Sequence, residues 1–306
     1  MGIAVIGSVF VDIKGYPDGI FVRNGRNAGQ IIQGHGGVSR NVAENIGRAG
    51  FSPMMIGVTD TSGIGQDVIA RLITSGVDTS YMRSVPNGCG TWLAVFDDTG
   101  DVAASISVRP DLREITAILL EEGEEIASKA DAFVVELDMD SQILDPVFRL
   151  AAAHNIPVYA LVSNISIALE QKERLKQTSC FVCNLQEAGV FFGKELEGLE
   201  PSELCRLLPY LIRNEQIQRM IITLGNIGAV CAELDEDSAF IPALDVPVVD
   251  TAGAGDAFFS GVTIGLTYGK TIAEACAIGT RLAASVIMTD ENCCPRFQPA
   301  EFDIHF

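Results

Sequence analysis

The stretch Asp250-Thr251-Ala252-Gly253-Ala254-Gly255-Asp256, running into Ala257-Phe258-Phe259-Ser260-Gly261, joins a small-residue loop to an apolar run and sets a carboxylate at the junction. Gly253, Ala254 and Gly255 carry little or no side chain, so their backbone N–H groups can come close to an anion. The apolar run predicts a helix whose positive end faces the same point. A phosphoryl group held there would repel Asp256 unless the acid has a task. The natural task is to take the proton of an attacking hydroxyl while the amides stabilise the transferring charge. A glycine-rich helix entry with a capping Asp is the plainer alternative.

The 306 residues carry a formal charge of −19, and 48% of them are hydrophobic. Such a chain buries a full core and suits a single domain over 1–306. The acidic excess opposes binding to a nucleic acid polymer or an anionic membrane. A nucleotide pocket stays compatible with it, because backbone amides and a bound cation act locally. Gly2-Ile3-Ala4-Val5-Ile6-Gly7 reads as a first strand and lacks the features of a signal peptide, so a cytoplasmic protein is expected. Eight cysteines at irregular spacings predict reduced, buried thiols. Cys180-x-x-Cys183 and Cys293-Cys294 have spacings of redox or zinc interest, but no second C-x-x-C or clustered histidines accompany them.

From Ala130 onward, apolar runs alternate with helical patterns: Ala132–Val135, Ser141–His154, Pro157–Leu161, then Ile165–Lys176. Apolar strands separated by helices imply a parallel sheet covered on both faces. The early part differs. Gly15–Gln33 mixes polar, glycine-rich turns with short apolar stretches, and Thr91–Phe96 leads through Asp97-Asp98-Thr99-Gly100 into Val102–Val108 as a hairpin. Strands inserted at two early places can pair into a small sheet outside the main one, giving one α/β domain with a discontinuous lid.

Three further stretches carry residues suited to phosphate chemistry. Gly34-His35-Gly36-Gly37-Val38-Ser39-Arg40-Asn41 introduces a helix through paired glycines, with a polar Asn on its first turns. Asn184-Leu185-Gln186-Glu187 opens a helix after an apolar strand, and its amide and acid share one face. An N-cap with its capping-box acid explains that pair equally well. Thr223-Leu224-Gly225-Asn226-Ile227-Gly228 separates two strands, as a plain hairpin turn would.

Taken in order, these strings resemble the signatures of the ribokinase-like (PfkB) carbohydrate and nucleoside kinases, over nearly the whole chain. The resemblance implies a three-layer α/β fold with a mostly parallel central sheet and a small β-sheet lid, here approximately 13–35 and 84–110, which family members often also use to form homodimers. It implies ATP as phosphate donor and a sugar or nucleoside as acceptor. Asp256 would be the base, with Gly253, Ala254 and Gly255 as the anion hole. Asp12, Gly36, Gly37 and Asn41 would contact substrate hydroxyls. Asn184 and Glu187 would arrange Mg²⁺ and its waters, Glu187 acting through water, and Thr223, Gly225 and Gly228 would contact ATP. A monovalent cation such as K⁺ is a further cofactor that the resemblance allows.

Within the family, Ile6-Gly7-Ser8 with Asp12, and Gly36–Asn45, look most like pseudouridine kinases. Val108, Leu137 and Met139 stand where acidic or amide pocket residues are expected, which predicts a more apolar pocket. Leu161-Val162 replaces a common Asp-Pro, Ser39 replaces a smaller residue, and Asp60 replaces a glycine. Two other classes are weighed against a kinase. A non-catalytic sugar- or nucleotide-binding regulator is opposed by the intact Asp256, and a nucleotide-dependent oxidoreductase by the lack of an early G-x-G-x-x-G. Neither a Walker loop nor the protein-kinase motif set is present. His35, His154 and His305 do not form a ligand cluster in the sequence.

Overall fold

The computed structural model describes residues 2–99, 101–162, 164, 165 and 169–305. Its strands, in chain order, are β1 (Ile3–Gly7), β2 (Phe10–Pro17), β3 (Gly29–Gly36), β4 (Met54–Thr59), β5 (Met82–Ser84), β6 (Gly90–Phe96), β7 (Val102–Val108), β8 (Ala132–Glu136), β9 (Val158–Leu161), β10 (Cys180–Asn184), β11 (Arg219–Thr223), β12 (Gly228–Glu233) and β13 (Ala239–Pro242). Among the described residues they form two sheets. The larger has nine strands in the order β13-β12-β11-β10-β9-β8-β1-β4-β5, and the smaller has four in the order β3-β2-β6-β7. Neighbours from β5 across to β11 run parallel, while β12 and β13 turn back antiparallel.

The parallel strands are apolar throughout because both faces are covered. Side chains alternate across the sheet, so Ala4 and Ile6 enter one core while Ile3 and Val5 enter the other. Helices Arg113–Lys129, Ser141–His154, Leu185–Phe192 and Pro201–Glu215 pack on the first face. Helices Val38–Arg48, Gly63–Thr74, Ala254–Thr267 and Ile272–Ile287 pack on the second. The result is the expected three-layer arrangement. Phe133 and Phe259, both fully buried, fill opposite cores, and truncating either to Ala should cost about 3–5 kcal/mol.

The smaller sheet begins directly after β1. β2 pairs with β3 and then with β6, and the hairpin β6–β7 completes it. Its outer strands β3 and β7 are largely exposed, with Ile31, Ile32, Ile106 and Val108 open to solvent, while β2 and β6 are mostly half-buried. β3 ends at Gly36, so this sheet feeds straight into helix Val38–Arg48. Of the helical stretch expected at Ile165–Lys176, residues 166–168 lie outside the described residues, and the remainder includes a 3₁₀ turn at Leu169–Gln171 and a short helix at Lys172–Leu175. No helix among the described residues is long and apolar enough to cross a membrane.

Candidate active site

Parallel strands deliver their C-terminal ends to one edge of the sheet, where open α/β folds place their sites. Two helix starts meet there. Helix Val38–Arg48 follows Gly37 at φ 95°, and helix Ala254–Thr267 follows Gly253 at φ 79°. A side chain at Gly253 would also run into the Asn292 backbone, its Cβ lying 2.2 Å from the carbonyl oxygen. Both positions therefore require glycine.

From these two starts Asn41 and Asp256 point at each other, the Asn41 Nδ2 donating to Asp256 Oδ2 at 2.6 Å. The Asp256 carboxyl is pushed up to about 7 from an ordinary 3.8. Burial is the main cause and the nearby Glu136 and Asp12 charges add to it, against the opposing pull of the Asn41 hydrogen bond and Arg40. Asp12 approaches from β2 and packs so closely on Gly36 that a Cβ there would lie 2.4 Å from its Oδ1. Burial raises the Asp12 carboxyl as well, with Lys14 and Arg40 restraining the rise.

Helix geometry leaves the first amides of Ala254–Thr267 without intrahelical acceptors. The Ala254 N–H is taken by the Thr251 carbonyl at 3.2 Å, and Asp250 Oδ1 accepts from the Ala252 N–H at 2.9 Å. Of the expected anion hole, Ala254 thus has its amide occupied, while the amides of Gly253, Gly255 and the adjoining Asp256 have no partner among the described residues.

Asn184 and Glu187 form the capping box in full. Asn184 Oδ1 accepts from the Glu187 N–H and Glu187 Oε2 accepts from the Asn184 N–H, both at 2.8 Å. Glu187 is held above its ordinary range, first by burial and then by the negative charge of Asp138. Thr223 pairs in register beside Asn184 on β11. Gly225 and Gly228, both at positive φ, turn the chain into β12. This cluster lies at the ends of β10 and β11 of the larger sheet, whereas Asp12 is on β2 of the smaller sheet and Asn41 and Asp256 are on helices. Asp138, just past β8, acts on Glu187 and also lines a cavity shared with Ser8 and Glu136.

That cavity has a volume of about 330 Å³ and extends from Ser8, Phe10 and Glu136 to the loop Arg109–Arg113 and the helix start at Asp140–Ile143. It corrects the expectation of an apolar pocket. Leu137 is fully buried in the core and Val108 is exposed on β7, whereas Glu136 and Asp138, in the alternate register, face the cavity; only Met139 of the three apolar residues lines it. β8 ends at Glu136 and the chain turns directly after it, the Met139 N–H donating to the Glu136 carbonyl at 3.3 Å, so that Leu137 enters the core while Asp138 and Met139 reach the cavity.

Ser39, at the unusual position, donates from Oγ and from its N–H to Glu136 Oε1, the latter at 3.1 Å, and Ser8 Oγ donates to the same oxygen at 3.3 Å. Asp60 organises a turn, accepting from the Ser62 N–H at 2.9 Å just before helix Gly63–Thr74. Leu161 and Val162 are core residues on opposite faces. His35 lies on β3 with its Nε2 2.9 Å from Asp67, away from Asp256 contacts. All eight cysteines are free, and Cys180, Cys183, Cys293 and Cys294 are buried, with burial pushing the last two thiols to about 12.

Sequence reasoning passed over Glu136, Asp138, Arg40 and Asn292. A polar residue closing an apolar strand was the available signal for Glu136, and a charged residue two before Val42 on a buried helix face was the signal for Arg40. Asn292, whose Nδ2 donates to the His35 carbonyl at 2.6 Å, had none.

A family model described as pfkB family carbohydrate kinase matches residues 2–295. Guanosine-inosine kinase of Exiguobacterium acetylicum is 30% identical over 296 residues, covering 95% of each chain. Pseudouridine kinase of Escherichia coli (strain K12) is 24% identical over 274 residues, 89% of this chain and 86% of the relative. Among solved structures, a ribokinase from Arabidopsis thaliana complexed with ribose and ATP superposes with a TM-score of 0.82 at 18% identity over 96% of both chains, a likeness of fold. The chain belongs to the pfkB family of carbohydrate kinases, and its activity class is that of an ATP-dependent carbohydrate or nucleoside kinase.

Proposed function

We propose that this pfkB-family kinase transfers the γ-phosphate of ATP to a ribosyl hydroxyl of a nucleoside, with Asp256 as the base. The observation that carries the proposal is the meeting of Asp256 and Asn41 at two helix starts, beside Asp12 and a polar cavity that runs on from Glu136. Asp12 and Asn41 suit sugar hydroxyls. Asp256, pushed up to about 7, is matched to accepting a proton near neutrality. As the hydroxyl attacks, the Gly255 and Asp256 amides would receive the charge of the transferring group, so positioning and electrostatics supply most of the rate.

The cavity favours a nucleoside over a free sugar. Arg109 lines it without a hydrogen bond or ion pair among the described residues, and Asp138 and Gln142 line it too. A guanidinium donates to carbonyl oxygens, and a carboxylate or amide oxygen accepts from ring N–H groups. A base offering both, as in guanosine, inosine or pseudouridine, fits that lining better than adenine, which has no carbonyl. The smaller sheet would act as a lid over the acceptor, closing through the Gly36-Gly37 segment that joins it to helix Val38–Arg48.

Glu187 fits a Mg²⁺ held through water. Its Oε2 is used by the cap, its Oε1 is not, and the like charge of Asp138 nearby is a repulsion that a divalent cation relieves. When bound, the ion would neutralise phosphate charge. Thr223 and the Gly225–Gly228 turn would hold the nucleotide beside it.

The test is kcat/KM with Mg²⁺–ATP across guanosine, inosine, pseudouridine, uridine, adenosine, ribose and fructose. Nucleosides with oxo bases should lead, and Asp256→Asn should lose turnover on all of them. Turnover of a free sugar with none of any nucleoside would overturn the acceptor assignment.

A further inference from the structure

We propose that Arg40 is a positioning residue for phosphoryl transfer, which fixes the Asn41 amide so that its NH₂ group faces the Asp256 carboxylate. The inference rests on the reading of Asp256 as the base and goes beyond it, because Arg40 itself is fully buried behind the site.

Its Nη2 donates to Asn41 Oδ1 and, at 2.6 Å, to the His35 carbonyl, while its Nε donates to the Gly36 carbonyl at 3.3 Å. A guanidinium has donors only. The oxygen end of the Asn41 amide must therefore face Arg40, and the nitrogen end is left to meet Asp256 Oδ2 at 2.6 Å. Remove the guanidinium and the amide is free to rotate, presenting oxygen to a carboxylate. The same fork holds the two carbonyls of the hinge, and Arg40 Nη2 lies 3.4 Å from Asn292 Oδ1, on the segment against which Gly253 packs. One buried cation thus ties the acceptor loop to the loop that carries the base.

Glu44 does not depend on Arg40 alone. Arg40 is paired through Nη1 with Glu44, but Glu44 also binds Arg48 and Arg71, each at 2.8 Å. Burial alone would raise the Glu44 carboxyl, and these three arginines bring it below its ordinary range. With Arg40 replaced, Glu44 keeps two partners.

The groups facing Asp256 are Asn41 and Arg40 from helix Val38–Arg48, Glu136 from β8 and Asp12 from β2. Arg40 and the Asn41 NH₂ favour the ionised base, and the two acids oppose it. In Arg40→Met, Asp256 should therefore protonate more readily, and the acid limb of kcat/KM should move up by about one pH unit or more. The kcat should fall on the order of tenfold to a hundredfold with KM for ATP unchanged. Arg40→Lys keeps the charge but not the fork, so its acid limb should stay near wild type while kcat still falls.

The experiment compares wild type, Arg40→Met, Arg40→Lys, Asn41→Ala and the Arg40→Met/Asn41→Ala double variant with guanosine and Mg²⁺–ATP. The ionisation of Asp256 is also read without turnover, from the pH midpoint of the melting-temperature difference between each protein and its Asp256→Asn counterpart. Support consists of a raised midpoint in Arg40→Met and an Arg40→Met effect that shrinks in the Asn41→Ala background. An unmoved midpoint, or an undiminished effect without Asn41, overturns the positioning role even where Asp256→Asn is inactive. A raised midpoint with a fully active Asp256→Asn would instead remove Asp256 from the base role and leave the Arg40 geometry standing. Should Arg40→Met not fold, Arg40→Lys carries the test, and wild-type kcat there overturns the proposal.

Discussion

Replacing Asp256 by Asn is expected to destroy turnover and, at the same time, to stabilise the protein by an amount that depends on pH. The ordinary carboxyl value is 3.8 and the folded site lifts it to about 7, chiefly by burial. At 1.36 kcal/mol for each pH unit, holding that carboxylate ionised costs the folded state about 4 kcal/mol. The sign follows from which state binds the proton. Below 3.8 both states are protonated and there is no cost; between 3.8 and about 7 the unfolded chain has ionised while the folded one has not, so stability falls as pH rises; above about 7 the full cost is present. The substituted amide does not titrate, and its carbonyl can still accept from Asn41 Nδ2. Melting temperatures of the two proteins should coincide in acid and separate by several degrees in favour of Asp256→Asn above neutrality. On the same samples, kcat with guanosine and Mg²⁺–ATP should drop on the order of a hundredfold or more. A melting difference that stays flat across this range would refute the claim that the site holds a costly ionised acid.

Glu187→Gln should separate the cap from the metal: glutamine retains a capping-box oxygen, so stability should change by less than about 1 kcal/mol while the Mg²⁺ concentration needed for half-maximal rate rises. Gly36→Ala should drive the Asp12 carboxylate from its place, since the added Cβ would lie 2.4 Å from Oδ1, and kinetics should show a raised KM for the nucleoside with KM for ATP unchanged. Hydrogen exchange should slow in β2–β3 and β6–β7 more than in β8 when guanosine and a non-hydrolysable ATP analogue are bound; equal protection would mean that the smaller sheet is fixed packing and not a cover.

The central sheet was legible because each parallel strand is a continuous apolar run between helices, as at Ala132–Val135 and Cys180–Cys183. The hairpin β6–β7 announced itself through Asp97-Asp98-Thr99-Gly100 between two strand-forming runs. Facing and long-range pairing were harder to read. Whether Leu137 or its neighbours point into the cavity depends on one residue of register after β8, and the runs alone do not say where the pleat ends. Arg40 offered only a charge two residues before Val42 as a signal; its partners at Asn41, Glu44 and His35 are near in sequence, but Asn292 is brought close only by tertiary folding. Asn184 and Glu187 show the opposite limit. The capping box was readable from the tetrapeptide, but the charge of Asp138 that acts on Glu187 comes from another strand end.

The helix starts connect these observations. Helices opening after Ser62, Asn184 and Thr271 are closed by a side-chain oxygen on a first-turn amide. Those opening after Gly37, Leu112, Asp140 and Gly253 have no bond from the cap residue's own side chain, although Glu136 Oε1 accepts from the Ser39 N–H and Asp111 Oδ1 from the Arg113 N–H, each at 3.1 Å; helix Pro201–Glu215 has a capping box and a proline. Leu112 and Asp140 line the polar cavity, and Gly37 and Gly253 introduce Asn41 and Asp256. A missing cap gives up about 1 kcal/mol of helix stability. At the start after Gly253 no other side chain takes over, and the Gly255 and Asp256 amides are without a partner among the described residues. An acid in the first turn of a helix is ordinarily favoured by the helix dipole. At Asp256 burial and the charges of Glu136 and Asp12 overrule that preference, so the carboxyl keeps its proton affinity near neutrality. Under the proposed reading, the same edge of the sheet would hold donors for the group being transferred and a base for the proton that must leave.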